Sequence, residues 1–539
     1  MKIKNFFYIA SFIALAITGC GSTATMVATD PAKIDKLPLK ISPIKESDLK
    51  RWSNLDLIKD TIPGMSVDKA YAEFLKGKKG VKVIVGVVDS GVDVDHEDLK
   101  SVIWTNTKEI PGNKIDDDKN GYVDDIHGWN FLGNSNFENL ELTRIVKKGD
   151  DGSQIYKDAK ADLEKAKAAL APQKQQVDML LAADKAVRGY LKKDNFTLED
   201  VKAMQPTDAT LQQYKAMFTQ ILASTPKPEF DKQIKEYQDY VYNQLNYNLN
   251  TEFDGRKAVG DNPDDFNDRN YGTNVVVAPD KEESLHGTHV AGIIAAVRGN
   301  NKGGDGIAKN TEILVVRAVP NGDEYDKDIA LGIRYAVDNG AKVINGSFGK
   351  SYSPHKQWVY DAIKYAESKD VLIVHAAGND GHDIDLSQYK NFPNDSDDNK
   401  TEFASNFLTI GALSTTYGSG IVANFSNYGS FNVDVFAPGM KIYSTAPNNK
   451  YVYEQGTSMA SPNAAGVAAI IRSYYPSLTA SQVKQILMNS GTPITTVVTL
   501  GEAEEKRPFT NASKSGKIVN AYNALLMAEK MAKKKIILH

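Results

Sequence analysis

A nearly continuous apolar run, VKVIVGVVDSGVD at residues 81–93, ends at a glycine turn. A short continuous run of this kind predicts a strand buried on both faces, as in a parallel sheet, with Asp89 at its carboxyl end. Similar units follow: TEILVVRAV, the helical DIALGIRYAVDNG, AKVINGSFG, the helical WVYDAIKYAESKD, and VLIVHAAGND. Strand and helix alternate, so the predicted class is α/β, a mainly parallel central sheet between two helical layers. Polar residues at the strand ends then gather on one edge of the sheet, where such folds carry their chemistry. Asp89, Ser347 and Asn379 fall there.

Residues 138–250 follow a different period. They are rich in Ala, Lys, Gln, Glu and Leu, and Phe230, Ile234, Tyr237, Val241 and Leu245 recur at helical spacing. An all-α insertion is expected, with Pro172 breaking or kinking one helix. The insertion divides a domain whose parts are 51–137 and 251–539 and whose last stretch, KIVNAYNALLMAEKMAKKK, reads as a helix. By its place between Asp89 and His286, the insertion is expected to overhang one rim of a cleft.

At the N-terminus, Lys2 and Lys4 precede an apolar run from Phe6 to Ile17, then Thr18-Gly19-Cys20. The run is too short to span a bilayer and has the layout of a secretory signal, residues 1–19. Its end resembles the lipobox of bacterial lipoproteins, which implies cleavage before Cys20 and its acylation. The plainer reading is a signal peptide with an incidental cysteine. Cys20 is the single cysteine, so no intramolecular disulfide forms. Residues 20–50 read as a polar tether, and GMSVDKAYAEFLKGKKG at 64–80 as a helix rather than part of a compact inhibitory prodomain. A lipid-anchored place in the bacterial cell envelope is expected. Gly21, where some bacteria use aspartate to retain lipoproteins in the inner membrane, favours the outer one. The formal net charge of -4, with 24% charged residues, gives no sign of a nucleic-acid partner.

The chemistry is carried by three separated stretches. DSGVD at 89–93, HGTHVAG at 286–292 and GTSMASP at 456–462 supply Asp, His and Ser in that order. Alone, Asp89 reads equally as a strand-end turn residue, His286 as a structural histidine, and Ser458 or Ser461 as a helix-start polar residue. Together, and with HAAGN, FSNYG and DVFAPG further along, they resemble the subtilisin-like serine protease family, the subtilases. The handling of a serine nucleophile in this chain order is a known arrangement. The resemblance implies a serine endopeptidase acting on proteins or peptides. Ser458 is its nucleophile, His286 its general base, Asp89 the group that orients the imidazole, and Asn379 an oxyanion donor beside the Ser458 backbone N–H. It also implies that Ser347, Phe348 and Gly349 on one side, and Ala376, Ala377 and Gly378 on the other, wall the primary pocket. Gly346 and Asn463 depart from the residues common in the family. Two other readings compete: a catalytically silent scaffold binding partners through the insertion, and an esterase, which lacks its G-x-S-x-G elbow here.

NKIDDDKNGYVDDIHGWNF places Asp116, Asp118 and Asn120 at alternate positions before Gly121, a layout of oxygen ligands suited to a hard cation. The twelfth position is His127, so the EF-hand frame fails. The resemblance implies calcium, with Asp116, Asp118, Asn120, Asp125 and the Tyr122 carbonyl as ligands; the alternative is a solvated acidic turn. DNPDDFNDRN at 261–270 is a weaker candidate.

Overall fold

The structure, a computed structural model, describes residues 43–534. The signal segment and Cys20 lie outside the described residues. Strands β1 (Val83–Asp89), β2 (Gly128–Asn130), β3 (Thr311–Arg317), β4 (Val343–Gly346), β5 (Leu372–Ala376), β6 (Phe407–Leu413) and β7 (Val435–Pro438) come first along the chain. A hairpin of β8 (Ile442–Ala446) and β9 (Lys450–Glu454) follows, then β10 (Thr492–Pro493), a β11–β12 ribbon (Val497–Leu500, Glu505–Pro508) and β13 (Lys517–Ile518). Nine of them form one sheet in the order β10-β13-β7-β6-β5-β4-β1-β3-β2, parallel at every pairing except β10 with β13.

The apolar runs become strands buried on both faces, as a parallel sheet requires. Val85, Val87, Ile313, Val315 and Val374 belong to one core, while Val88, Leu314, Val316, Ile344 and Ile373 belong to the other. This is the alternation of a pleated strand. Chain order reverses around β1, with β3 on one side and β4 on the other. The carboxyl ends of these strands therefore flank a crevice, the place where open α/β sheets bind ligands.

The helices are α1 (Glu141–Lys148), α2 (Gln154–Leu191), α3 (Leu198–Ala203), α4 (Ala209–Leu222) and α5 (Lys227–Asn243), followed by α6 (Leu285–Ala295) and α7 (Asp326–Asp338). After these come α8 (Lys356–Ser368), α9 (Thr457–Tyr474), α10 (Ala480–Ser490) and α11 (Ala521–Ala532). Helices α6, α9, α10 and α11 cover one face of the sheet, α7 and α8 the other.

Helices α1 to α5 form an arm with two small cores of its own. Phe218 sits between Phe196 and Phe230, each ring pair 5.3 Å apart and edge-on. Phe230 and Ile234 of the predicted stripe enter this core, and Val241 and Leu245 enter the second. Pro172 does not end α2, which runs 38 residues through it, about 57 Å at 1.5 Å per residue. The long stretch of strong helix formers around it carries the helix past the lost N–H.

The tether ends earlier than expected. Glu46–Leu49 is helical, Ile44 and Leu49 pack on the main core, and the Trp52 indole donates to the Met440 carbonyl at 3.1 Å. Helical turns do lead into β1, over Val67–Lys69 and Ala70–Phe74.

Candidate active site

Asp89 ends β1, and its surroundings are fixed by a neighbour on β3. The Arg317 side chain is buried and donates to the Ser90 carbonyl (3.1 Å), Asn130 Oδ1 (3.0 Å) and the Ser135 carbonyl (2.6 Å). Burial lowers its pKa to about 10. The turn after Asp89 is thereby tied down. Asp89 itself is 1% exposed, and its Oδ1 accepts from the Ser90 N–H and faces His286 Nδ1, both at 2.7 Å.

His286 is the second residue of α6. Gly287 lets that helix approach, because a Cβ there would lie 2.2 Å from the Gly91 carbonyl oxygen. The imidazole is 38% exposed at the cleft. Burial disfavours its charged form, but the charge and hydrogen bond of Asp89, with Glu454 adding to them, outweigh this and raise its pKa above the ordinary range. With Nδ1 engaged by Asp89, Nε2 is the ring nitrogen left to take part in any proton transfer.

His289, three residues on, takes no part. It is wholly buried, its Nε2 lies 3.1 and 3.2 Å from the Ile442 and Val452 carbonyls, and burial lowers its pKa to about 3.

Ser458 is the second residue of α9, so its hydroxyl and N–H stand at the positive end of an 18-residue helix. Its Oγ donates to the Ser347 carbonyl (3.2 Å), while the Ser347 hydroxyl donates back to the Ser458 carbonyl (2.8 Å). Among the described residues no hydrogen bond joins Ser458 to His286, although both line one cleft of about 740 Å³. Serine–histidine hydrogen bonds of this kind are often long in the free protein and tighten only when substrate binds. Asn379 lies on the same cleft. Its Oδ1 accepts from the Thr457 N–H (2.8 Å) and hydroxyl (3.0 Å), which orients the amide and leaves Nδ2 as its donor. Ser461, the fifth residue of α9, is buried and donates to Asn345 Oδ1 at 2.8 Å. Asn463 is likewise buried, bonded to the Pro438 carbonyl at 3.0 Å.

Ser347, Phe348, Gly349, Ala376 and Gly378 line the cleft. Ala377 does not; it is fully buried and contributes only its carbonyl, which accepts from Asn427 and Asn391. Gly346 makes room for Phe348, whose ring would lie 3.1 Å from a Cβ at that position. The sequence reading missed Asn391. Its Nδ2 donates to the Ala376 and Ala377 carbonyls, and its Oδ1 lies 2.5 Å from where a Gly349 Cβ would stand, between the two expected walls. No motif marks it. Glu454, Leu140 and Leu142 also line the cleft and were missed. The arm thus reaches the cleft through its root.

A family profile of the subtilases matches residues 80–516, most of the chain and all of the elements just described as bearing the cleft. The chain belongs to the subtilase family. It is 44% identical over 191 residues to a thermophilic serine proteinase of Bacillus sp. (strain AK1), an overlap of 35% of this chain and 42% of that one. It is 39% identical over 210 residues to thermitase of Thermoactinomyces vulgaris, covering 39% and 68%. It is 30% identical over 312 residues to subtilisin-like protease 1 of Plasmodium falciparum, covering 54% and 42%. The chain therefore spans less than half the length of the first of these relatives.

The acidic loop of this subtilase is partly rearranged from expectation. Oxygens of Glu109, Asp116 and Asp118 lie within 4.8 Å of one another. Glu109 precedes the acidic run, and no spacing pointed to it. Asp125 turns inward instead: its oxygens accept from Tyr335 (2.6 Å), Asn106 (2.8 Å) and Asn120 (3.0 Å), and burial raises its pKa. Asn120 is spent on that bond and on the Tyr122 N–H, and the Tyr122 ring packs edge-on against Trp129 and Tyr335. Three clustered carboxylates still make an all-oxygen donor set, which suits a hard cation. The 261–270 stretch does not: Asp261 is buried against Arg256 and Lys327, and Asp264 pairs with Lys148 and His355. No helix among the described residues is long and apolar enough to cross a membrane.

Proposed function

We propose that this subtilase is a serine endopeptidase that hydrolyses peptide bonds through Ser458, His286, Asp89 and Asn379. The observation that carries the reading is the Asp89–His286 contact at 2.7 Å, in one cleft with the second residue of α9, Ser458. Ser458 Oγ attacks the scissile carbonyl as His286 Nε2 takes its proton. Asp89 holds the ring's tautomer and stabilises the imidazolium. The Asn379 amide and the Ser458 N–H receive the oxyanion, and removing one such donor costs about 2.7–4 kcal/mol. Collapse expels the amine, which takes the proton from His286. Water then attacks the acyl-serine by the same proton route, releasing the acid and restoring Ser458.

Calcium is proposed for the Glu109, Asp116 and Asp118 cluster, where it would brace the loop between β1 and β2. The protein is further proposed to sit in the cell envelope, anchored through an acyl group on Cys20. The motif Thr18-Gly19-Cys20 after the apolar run supports this.

One experiment tests the enzyme and its anchoring. Cells expressing the full chain are treated with a fluorescent fluorophosphonate and fractionated. The protein should label in the membrane fraction, lose its label in Ser458→Ala, and move with its label to the soluble fraction in Cys20→Ser. Absence of label on the folded wild type would overturn the hydrolase reading. An unchanged distribution in Cys20→Ser would overturn the anchor.

A further inference from the structure

We infer that the root of the helical arm forms an apolar subsite of the substrate cleft, where Leu140 and Leu142 receive an apolar side chain about three residues from the scissile bond on its acyl side. This rests on the reading of the cleft as a peptide-hydrolysing site. Both leucines are half-buried, pack partly on the arm's own second core, and line the cavity that holds Ser458 and His286.

Their position is fixed by a buried ionic network. Arg144 of α1 donates to the Asp323 and Glu324 carbonyls (2.8 and 3.0 Å). Lys350 lies between Glu141 of α1 and Asp326, at 2.8 and 2.9 Å. The helix that carries Leu142 is therefore clamped to the segment that continues β4 along the cleft. Ser347, at the start of that segment, touches Ser458, and Lys350 is three residues further on. An extended chain advances about 3.3 Å per residue, so the wall stands about 10 Å along it from the nucleophile. A substrate strand lying beside 347–350 brings its third side chain to that distance. Farther out, Tyr352, another cleft residue, donates to Asp162 of α2 at 2.5 Å, so the arm continues the wall.

The chemistry of the occupant follows from what the wall leaves free. Glu141, Arg144 and Lys350 are consumed by one another and by carbonyls, all of them buried. What Leu140 and Leu142, just before and within α1, offer the cavity is two leucine side chains, which exclude water best when a side chain of similar character covers them.

The test uses peptides with leucine or alanine at each of five positions on the acyl side, in two assays. One is cleavage by the full-length enzyme; the other is fluorescence-anisotropy binding to the Ser458→Ala protein. Leucine should be preferred at the third position by about tenfold, the scale at which an apolar pocket discriminates. That ratio should fall towards one in the Leu140→Ala/Leu142→Ala variant and persist in Leu142→Met. In Leu142→Phe, which narrows the site without emptying it, the preference should shift to alanine. Thermal melts identify any variant that fails to fold, and Leu142→Phe carries the test if the double variant does. A preference that is absent in the wild type, or unmoved by the variants, overturns the subsite. If the wild type cleaves nothing while the binding preference appears and moves as stated, the endopeptidase reading fails and the subsite stands.

Discussion

Glu454 ends strand β9 and lines the cleft with its carboxylate among the groups that bear on the imidazole of His286. Burial raises its own pKa, His286 opposes that, and Glu236 and Lys232 of α5 act on it from the arm. A carboxylate near a histidine favours the imidazolium, whereas catalysis needs the neutral ring as base. Activity therefore rises with pH through a His286 pKa that lies above the ordinary value. Removing the Glu454 charge should lower that pKa. In Glu454→Gln the acid limb of the kcat/KM profile moves to lower pH, with Asp89 still holding part of the upward shift. A limb that stays in place or moves up would show that Glu454 does not act on the ring. Asp89, His286 and Ser458 were legible in the sequence because each lies in a local motif beside glycine. Glu454 was not, since it reaches the site through a hairpin with no motif of its own.

At the scale of elements, β1 was readable because a strand buried on both faces has to be apolar at nearly every position. The α5 stripe was readable because only a helix brings residues at spacings of three and four onto one face. Pro172 does not break α2 for a physical reason: a proline removes one hydrogen bond, and the long run of helix formers on either side offsets that loss. The clamp on α1 was invisible, because Glu141, Arg144 and Lys350 are ordinary charged residues in sequence and become a network only on packing. Burial would raise the pKa of Glu141, but the charges of Arg144 and Lys350 pull it from 4.5 to about 2. It thus contributes stability that is present above its unfolded value and lost as pH falls towards 2. Replacing Glu141 with Gln leaves two buried cations short of a partner, a change that costs about 3–5 kcal/mol. Chemical denaturation at neutral pH should show a loss of this order, and the acid-induced fall in stability should flatten. An unfolding midpoint equal to that of the wild type would refute the clamp.

For the whole molecule, stability without a disulfide depends on the two large cores that flank the sheet and, as proposed, on an ion in the loop before β2. A ligand that binds only the folded state raises the melting temperature with its concentration. Chelation should therefore lower the melting temperature of the wild type, calcium should restore it, and the Asp116→Asn/Asp118→Asn variant should melt low and ignore both. A wild type that is indifferent to chelator would remove the cation from the account.

The sequence by itself determined the alternation of strands and helices, the helical character of the 138–250 stretch and the residue types of the proposed catalytic set, because periodicity and short motifs are local properties of a chain. Tertiary structure alone decided that Ser458 rests on Ser347 rather than His286, that Glu109 joins the acidic cluster while Asp125 turns to Tyr335, and that the arm's root walls the cleft. Each of these depends on residues far apart along the chain, whose competition for hydrogen bonds, charge and burial is settled only when the sheet brings them together.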